Sequence, residues 1–385
     1  MSVENTTQTD NLPGARLFVS DELGLLKVVE SPSLTDWDGC KVVKRWGEPN
    51  RSDGIRSLCL LASDDPQVPA VLAASRGKAG LEARDATTGV LLGRAACSRE
   101  GAGVTAVAAF RQGESGDPTI LSGDCEGQVT VHCVRQDRTG EEDGEVSALE
   151  TRASWEAGRP CECLAVLGGP GLVASGGEGR ELSVWDIESQ ERVFRAKGAK
   201  QNFLGLQDKP WVTSVAWLPD EEGRKVVVGT GFSKLRLYDL SAGHRRPVLE
   251  VAMSERTRVT SVSPLGSGRV WASNGEGKVQ EWDLAANRLG GILRGPGGAV
   301  RSIAASPDGS LLASVGLDRW LRVHQTATRK QVAKLYLKQQ LTGVAWAPLV
   351  GRADGGGAGA AAAETPVGAK RAAEGAAGGA KRGKP

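Results

Sequence analysis

His132, His244 and His324 are the only histidines of the 385-residue chain, and Cys161 and Cys163 stand two apart among its seven cysteines. An enzyme would need one of these groups beside a nucleophile or a paired carboxylate. A zinc site would need a second ligand pair at matching spacing. On a strand the two thiols share one face, but no such second pair exists, so they read as buried free thiols. His132 and His324 end the alternating runs Val129-Thr130-Val131-His132 and Leu321-Arg322-Val323-His324, where comparable runs carry Trp, and they read as packing residues. His244 lies in the turn Gly243-His244-Arg245-Arg246, next to cations and open to solvent. Ser175-Gly176-Gly177-Glu178-Gly179 is rich in glycine but joins two strand-like runs. It lacks the helix and the lysine that hold a phosphate. Catalysis, a bound metal and a cofactor are therefore not expected, and binding is the chemistry left to explain.

The cations point to binding. Residues 1–191 carry 18 Lys and Arg against 31 Asp and Glu, a net −13, whereas residues 192–385 carry 30 against 15, a net +15. An imbalance of this size implies an acidic side and a basic side, the second suited to nucleic acid or another polyanion. Within the basic half, Arg195 precedes a long connection that holds Lys197, Lys200 and Lys209 with Phe203 and Trp211, and a turn holds Arg245 and Arg246. Cations beside aromatics neutralise a phosphate backbone and stack on bases. Arg195, Lys197, Lys200, Phe203, Lys209, Arg245 and Arg246 are thus the candidate RNA or partner contacts, although Phe203 in a loop can equally pack over an edge.

The elements that must hold these residues recur along the chain. An apolar run ends in small residues, passes a Gly-containing turn, and resumes as an alternating strand closing on Trp-Asp or its remnant. Leu172-Val173-Ala174-Ser175 with Leu182-Ser183-Val184-Trp185-Asp186 is the clearest copy, followed by Val226-Val227-Val228-Gly229 with Leu235-Arg236-Leu237-Tyr238-Asp239. Asp186, Asp239 and Asp283 stand 53 and 44 residues apart, close to the roughly 40–45-residue period of WD-repeat blades. A second string of the form Val-x-Ser-Val starts at Ile55, Val104, Cys161, Val212, Val259, Val300 and Leu341. The chain opens on a hairpin, Leu17 to Val29, with no such string before it, and the string Leu341 to Trp346 has no hairpin after it. Joining the two completes a seventh blade and removes the open sheet edges.

An all-β fold follows: a seven-bladed WD-repeat β-propeller over residues 15–350, closed by N- and C-terminal strands in one blade. Residues 1–14 are expected to be a flexible N-terminus, and residues 351–385 a disordered basic tail rich in Gly and Ala. In that tail Lys370 and Arg371, then Lys381, Arg382 and Lys384, have the spacing of a bipartite nuclear-import signal. No leader or membrane-length apolar run is visible, so an intracellular protein without a membrane partner is expected.

From Phe194 onward the residues become more specific than a repeat pattern. Phe194-Arg195-Ala196-Lys197, Leu204-Gly205-Leu206, Trp211, Trp217-Leu218-Pro219, Thr230-Gly231-Phe232, Arg245-Arg246-Pro247-Val248-Leu249-Glu250, Gly316-Leu317-Asp318-Arg319 and Tyr336-Leu337-Lys338 stand in that order. Together they resemble the WD repeat-containing protein 74 family of ribosome-assembly factors from about residue 172 to 345. Gly205 departs from that family, which tends to place an acidic residue there. The resemblance implies a non-catalytic scaffold of the nucleus and nucleolus, a monomer within a larger particle. Its implied partners are pre-ribosomal RNA, large-subunit assembly factors and the AAA-type ATPase that releases it. The alternative is a protein-interaction adaptor. A peptide or histone-tail reader would need an acidic channel mouth. A ubiquitin-ligase substrate receptor usually has Arg or Lys two residues after Trp-Asp, where this chain has Glu188 and Ala285.

Overall fold

The computed structural model describes residues 15–32, 37, 39–62, 70–77, 80–97, 102–111, 116–134, 148–199, 205, 208–219, 224–253 and 257–347. The N-terminal segment 1–14, the tail 351–385 with its import-signal residues, and Lys200 and Phe203 lie outside the described residues. The described strands form seven four-stranded antiparallel sheets, a seven-bladed β-propeller. Blade 1 takes its innermost strand, Leu341–Trp346, from the C-terminal side and its other three, Ala15–Asp21, Leu26–Ser31 and Lys41–Trp46, from the N-terminal side. Blades 2 to 7 follow in chain order, with innermost strands at Ile55–Leu61, Val104–Arg111, Cys163–Leu167, Val212–Trp217, Val259–Leu265 and Val300–Ala305. Each innermost strand packs on that of the next blade, and Leu341–Trp346 packs on both Val300–Ala305 and Ile55–Leu61, so the ring is closed. No helix among the described residues is long and apolar enough to cross a membrane.

Burial explains the strand patterns. The second strand of each blade lies between two neighbours in its sheet and between two adjacent blades, and Val71–Arg76, Pro118–Asp124 and Leu311–Gly316 are buried at every position. Such strands read as continuous runs of small and apolar residues. The outermost strand faces solvent, and Lys41–Trp46 is mostly exposed. Seven apolar clusters of buried residues lie one at each blade interface, such as Leu17, Val19, Leu341 and Val344 with Leu321 and Val323 between blades 1 and 7. Each blade therefore buries its faces only against its neighbours.

The Val-x-Ser-Val string acquires a mechanical meaning in this ring. Its serine reaches the next blade: Ser57 Oγ accepts the N–H of Val107 at 3.2 Å, Ser261 Oγ that of Ile303 at 3.3 Å, and Ser302 Oγ that of Val344 at 3.4 Å. A tryptophan at the strand's end ties it to the preceding blade. Trp217 Nε1 donates to Ala165 O at 3.0 Å and Trp346 Nε1 to Ala304 O at 2.8 Å. The aspartate that ends the third strand caps the turn into the fourth by accepting backbone N–H groups, as Asp186 does from Ser189 (2.7 Å), Asp239 from Ser241 (2.9 Å) and Asp283 from Ala286 (2.8 Å). Asp21, Asp124 and Asn274 do the same for the turn between the second and third strands.

Deleting Leu341–Trp346 tests the closure. Leu341, Val344 and Trp346 are buried and together contribute about 6 kcal/mol of apolar burial, against a typical folding stability of about 5–15 kcal/mol. The shortened chain is expected to unfold or aggregate, as seen by circular dichroism and size-exclusion chromatography. A monomer with unchanged melting temperature would refute the closure.

Candidate functional site: a basic rim between blades 4 and 5

The fourth strand of blade 4, Arg192–Arg195, lies at the rim of the disc, beside the connection between the third and fourth strands of blade 5, Lys234–Asp239 and Leu249–Ala252. Arg245 O accepts the Lys197 N–H at 2.6 Å. Arg245 Nε donates to Arg195 O at 2.5 Å, and Arg246 Nη1 donates to Gly198 O at 3.3 Å. These contacts bring Arg195, Lys197, Arg245 and Arg246 together, although they come from two blades. Arg192, which the sequence did not single out, joins them with its guanidinium 5.5 Å from the centre of the Trp185 ring, a cation–π contact. Arg192, Val193, Phe194, Arg195 and Arg245 line a groove of about 410 Å³. Exposed Val193 and Val248 add apolar surface to the exposed cations. Among the described residues, none of Arg192, Arg195, Lys197, Arg245 and Arg246 has a carboxylate partner.

Glu181, Glu250 and Asp208, where blades 4 and 5 meet, pair with other cations. Arg236 is almost fully buried and donates from Nε to Glu250 Oε2 at 2.7 Å and from Nη1 to Glu181 at 3.3 Å. Asp208 lies 3.7 Å from Arg236 and 2.6 Å from Lys234. Burial pushes the Glu181 carboxyl above its ordinary pKa despite the pull of Arg236. Exposed Lys209 follows Asp208 in the stretch leading into blade 5, and nothing in the described residues joins it to the rim groove.

The groups weighed for catalysis have structural surroundings. Cys161 and Cys163 are buried, and burial pushes the Cys161 thiol up to about 12. No group of three or more His, Cys, Asp or Glu that could hold a metal occurs among the described residues. His132 and His324 do more than fill space. The His132 Nε2 pairs with Ser122 Oγ at 2.9 Å, as the Trp185 indole N–H does with Ser175 Oγ at 3.2 Å in the next blade. The His324 Nε2 lies 3.1 Å from Arg294 O. Burial lowers the pKa of both rings, that of His132 to about 4. His244 is exposed, with Nδ1 3.1 Å from Arg246 O.

The mouth of the central channel differs from what a reader of basic tails requires. It carries Arg56, Arg258 and Arg301 against Glu22 and Glu162.

The fold and these surfaces define a WD-repeat propeller with a basic rim. Residues 287–325 match the WD domain, G-beta repeat family, a span that takes in the fourth strand of blade 6 and the first three of blade 7. The chain is similar to WD repeat-containing protein 74, with 38% identity over 174 residues to the Homo sapiens protein and 41% over 176 residues to the Bos taurus protein. Each match covers 45% of this chain and 45% of the relative, so the matched stretch spans a little under half of these relatives' length. The Ribosome biogenesis protein NSA1 of Meyerozyma guilliermondii is 25% identical over 221 residues, covering 49% of this chain and 55% of that protein.

Two measurements follow from the buried groups. Replacing Arg236 by Ala leaves the largely buried Glu181 without its cation, while Glu250 keeps Lys234 at 3.1 Å, and is expected to cost about 3 kcal/mol in chemical denaturation. Below pH 6.5 the unfolded chain binds a proton at His132 that the folded chain refuses until about pH 4. Stability therefore falls as pH drops from about 6.5 to about 4, and His132 accounts for up to about 3 kcal/mol of that fall. Urea titrations of His132→Gln across this window should show a correspondingly shallower decline, and identical slopes would refute the assignment.

Proposed function

We propose that the chain is a non-catalytic scaffold in assembly of the large ribosomal subunit, held on pre-ribosomal RNA and neighbouring assembly factors by the basic rim between blades 4 and 5. The observation that carries this reading is that the five unneutralised rim cations fall within the stretch that resembles a ribosome-assembly family. Relatives named for ribosome biogenesis support the pathway. Exposed guanidinium forks suit phosphate oxygens, and a groove flanked by Val193 and Val248 suits a partner that brings apolar contact as well as charge. Such a protein works in the nucleus and nucleolus as a monomer within a larger particle, without a membrane partner, and leaves that particle with the help of an AAA-type ATPase. Lys200, Phe203 and Lys209, which lie in sequence between blades 4 and 5, are proposed as further contacts, and Lys370, Arg371, Lys381, Arg382 and Lys384 as the import signal.

The rim residues divide into two kinds. Arg195 and Lys197 hold nothing else in place through their cationic groups and Arg192 only its cation–π contact with Trp185, about 0.5–1 kcal/mol at an exposed site, so replacing all three by Ala is expected to lower the melting temperature only slightly. Arg245 and Arg246 also donate to backbone carbonyls of blade 4, so their removal is expected to cost about 1 kcal/mol for each hydrogen bond lost. Tagged protein from growing cells, sedimented through a sucrose gradient, is expected to travel with large-subunit precursor RNA. The Arg192→Ala, Arg195→Ala, Lys197→Ala variant is expected to shift to the free fractions. Wild-type protein found only in the free fractions would overturn the scaffold reading, and unaltered sedimentation of the variant would overturn the rim.

A further inference from the structure

Each inner strand has one residue directly after the first member of its string: Arg56, Thr105, Glu162, Thr213, Thr260, Arg301 and Thr342. In blades 2, 3, 5, 6 and 7 the pairing with the second strand slips at this residue, as between Val259 and Ser261 or between Val300 and Ser302. A residue left out of the ladder by a bulge can turn its side chain away from the sheet. Six of the seven line a cavity of about 460 Å³ at one end of the central channel, joined by Glu22, Arg258, Leu317 and Gln340 from the turns and connections above it.

Arginine predominates here, three guanidinium groups against the carboxylates of Glu22 and Glu162. Arg258, Arg301 and Arg56 enter from blades 6, 7 and 2, the arc that has blade 1 with Thr342 and Glu22 in its middle, while Glu162 stands across the channel on blade 4. Among the described residues none of the three arginine side chains has an ion pair or a hydrogen bond. Partial burial, with Arg258 as a second cause, lowers the Arg301 pKa, a sign that these cations stand close enough to oppose one another. Glu162 is already engaged, its Oε2 accepting the Trp211 indole N–H at 3.1 Å. Trp211 in turn meets Phe232 edge-on at 6.1 Å, and Phe232 is 41% exposed, an aromatic shelf beside the mouth.

We propose that this mouth receives an acidic peptide segment of a protein partner, its carboxylates pairing with Arg56, Arg258 and Arg301 and an apolar side chain lying against Phe232. Arginine forks bind carboxylates in two-pronged fashion. The Thr213, Thr260 and Thr342 hydroxyls offer donors and acceptors to a peptide backbone, and the cavity's volume suits an extended chain. A polynucleotide fits less well, because its continuous phosphates would face Glu22 and Glu162 as well as the arginines. The rim groove, by contrast, has no carboxylate among its lining residues.

Fluorescence anisotropy on the full chain separates these surfaces, with a labelled peptide of alternating Glu and Leu and a labelled oligouridylate as probes. The Arg56→Gln, Arg258→Gln, Arg301→Gln variant is expected to bind the acidic peptide at least about tenfold more weakly and the oligouridylate as wild type does. The Arg192→Ala, Arg195→Ala, Lys197→Ala rim variant is expected to do the reverse. The three channel arginine side chains make no ion pair or hydrogen bond among the described residues, so the triple variant should melt close to wild type. If it does not fold, Arg258→Gln alone, outside the strands, is expected to weaken the peptide about threefold. Absence of peptide binding to wild type, equal binding to the channel variants, or loss of oligouridylate in place of peptide would each overturn the proposal. The peptide outcomes do not depend on whether the rim binds pre-ribosomal RNA, which the oligouridylate arm tests separately.

Discussion

Closure of the inner ring by Leu341–Trp346 is the constraint on which the rest of the structure depends. Each of the seven apolar clusters is shared by two neighbouring blades. A blade without a neighbour would expose one of its two buried faces and the unpaired groups of its innermost strand. The pairing of Leu17 with Trp346 and Val19 with Val344 supplies the last neighbour. It also lets Val344 take the Ser302 hydroxyl as acceptor and Trp346 reach Ala304. The ends of the propeller are thus fastened by the same devices that fasten its middle. The matched repeat at 287–325 has the same logic, because it begins on the outer strand of one blade and ends on the third strand of the next.

That packing also decides which charges remain available. Arg236, Glu181, Glu250, Asp208 and Lys234 satisfy one another where blades 4 and 5 meet. Likewise Arg76, Arg84 and Arg94 surround Glu82 in blade 2, where the arginines hold that carboxyl below its ordinary pKa against the opposing effect of burial. Buried pairs of this kind are consumed in the fold and offer nothing to a partner. The cations left over at the rim and at the channel mouth have no carboxylate partner among the described residues, and it is there that long-range attraction of anions has its effect.

Much of this was legible in the residues. The serine of Val-x-Ser-Val, the aspartate that ends the third strand and the orphan strand at Leu341 each mark a contact that a blade must make, so they recur and can be counted. Arg195, Lys197, Arg245 and Arg246 were recognisable as cations in connecting segments. Arg192 was not, because its place beside Trp185 follows from the pairing of the third and fourth strands. Nor did anything mark Arg56 and Arg301, which sit in the string as its variable residue. His132 read as a filler because its hydrogen bond to Ser122 spans two strands whose register is not written locally.

The sequence by itself determined the element types, the number of blades and the place of closure, because these depend on local periodicity and on strings that repeat within about one blade length. Only the tertiary structure decided which cations are spent and which are free. Arg236 and Arg245 are chemically the same residue in the same blade, yet one is enclosed by Glu181 and Glu250 and the other lies open on the rim. The difference arises from carboxylates contributed by separate strands and by a neighbouring blade, and no spacing along the chain records how far apart those groups stand in the folded ring.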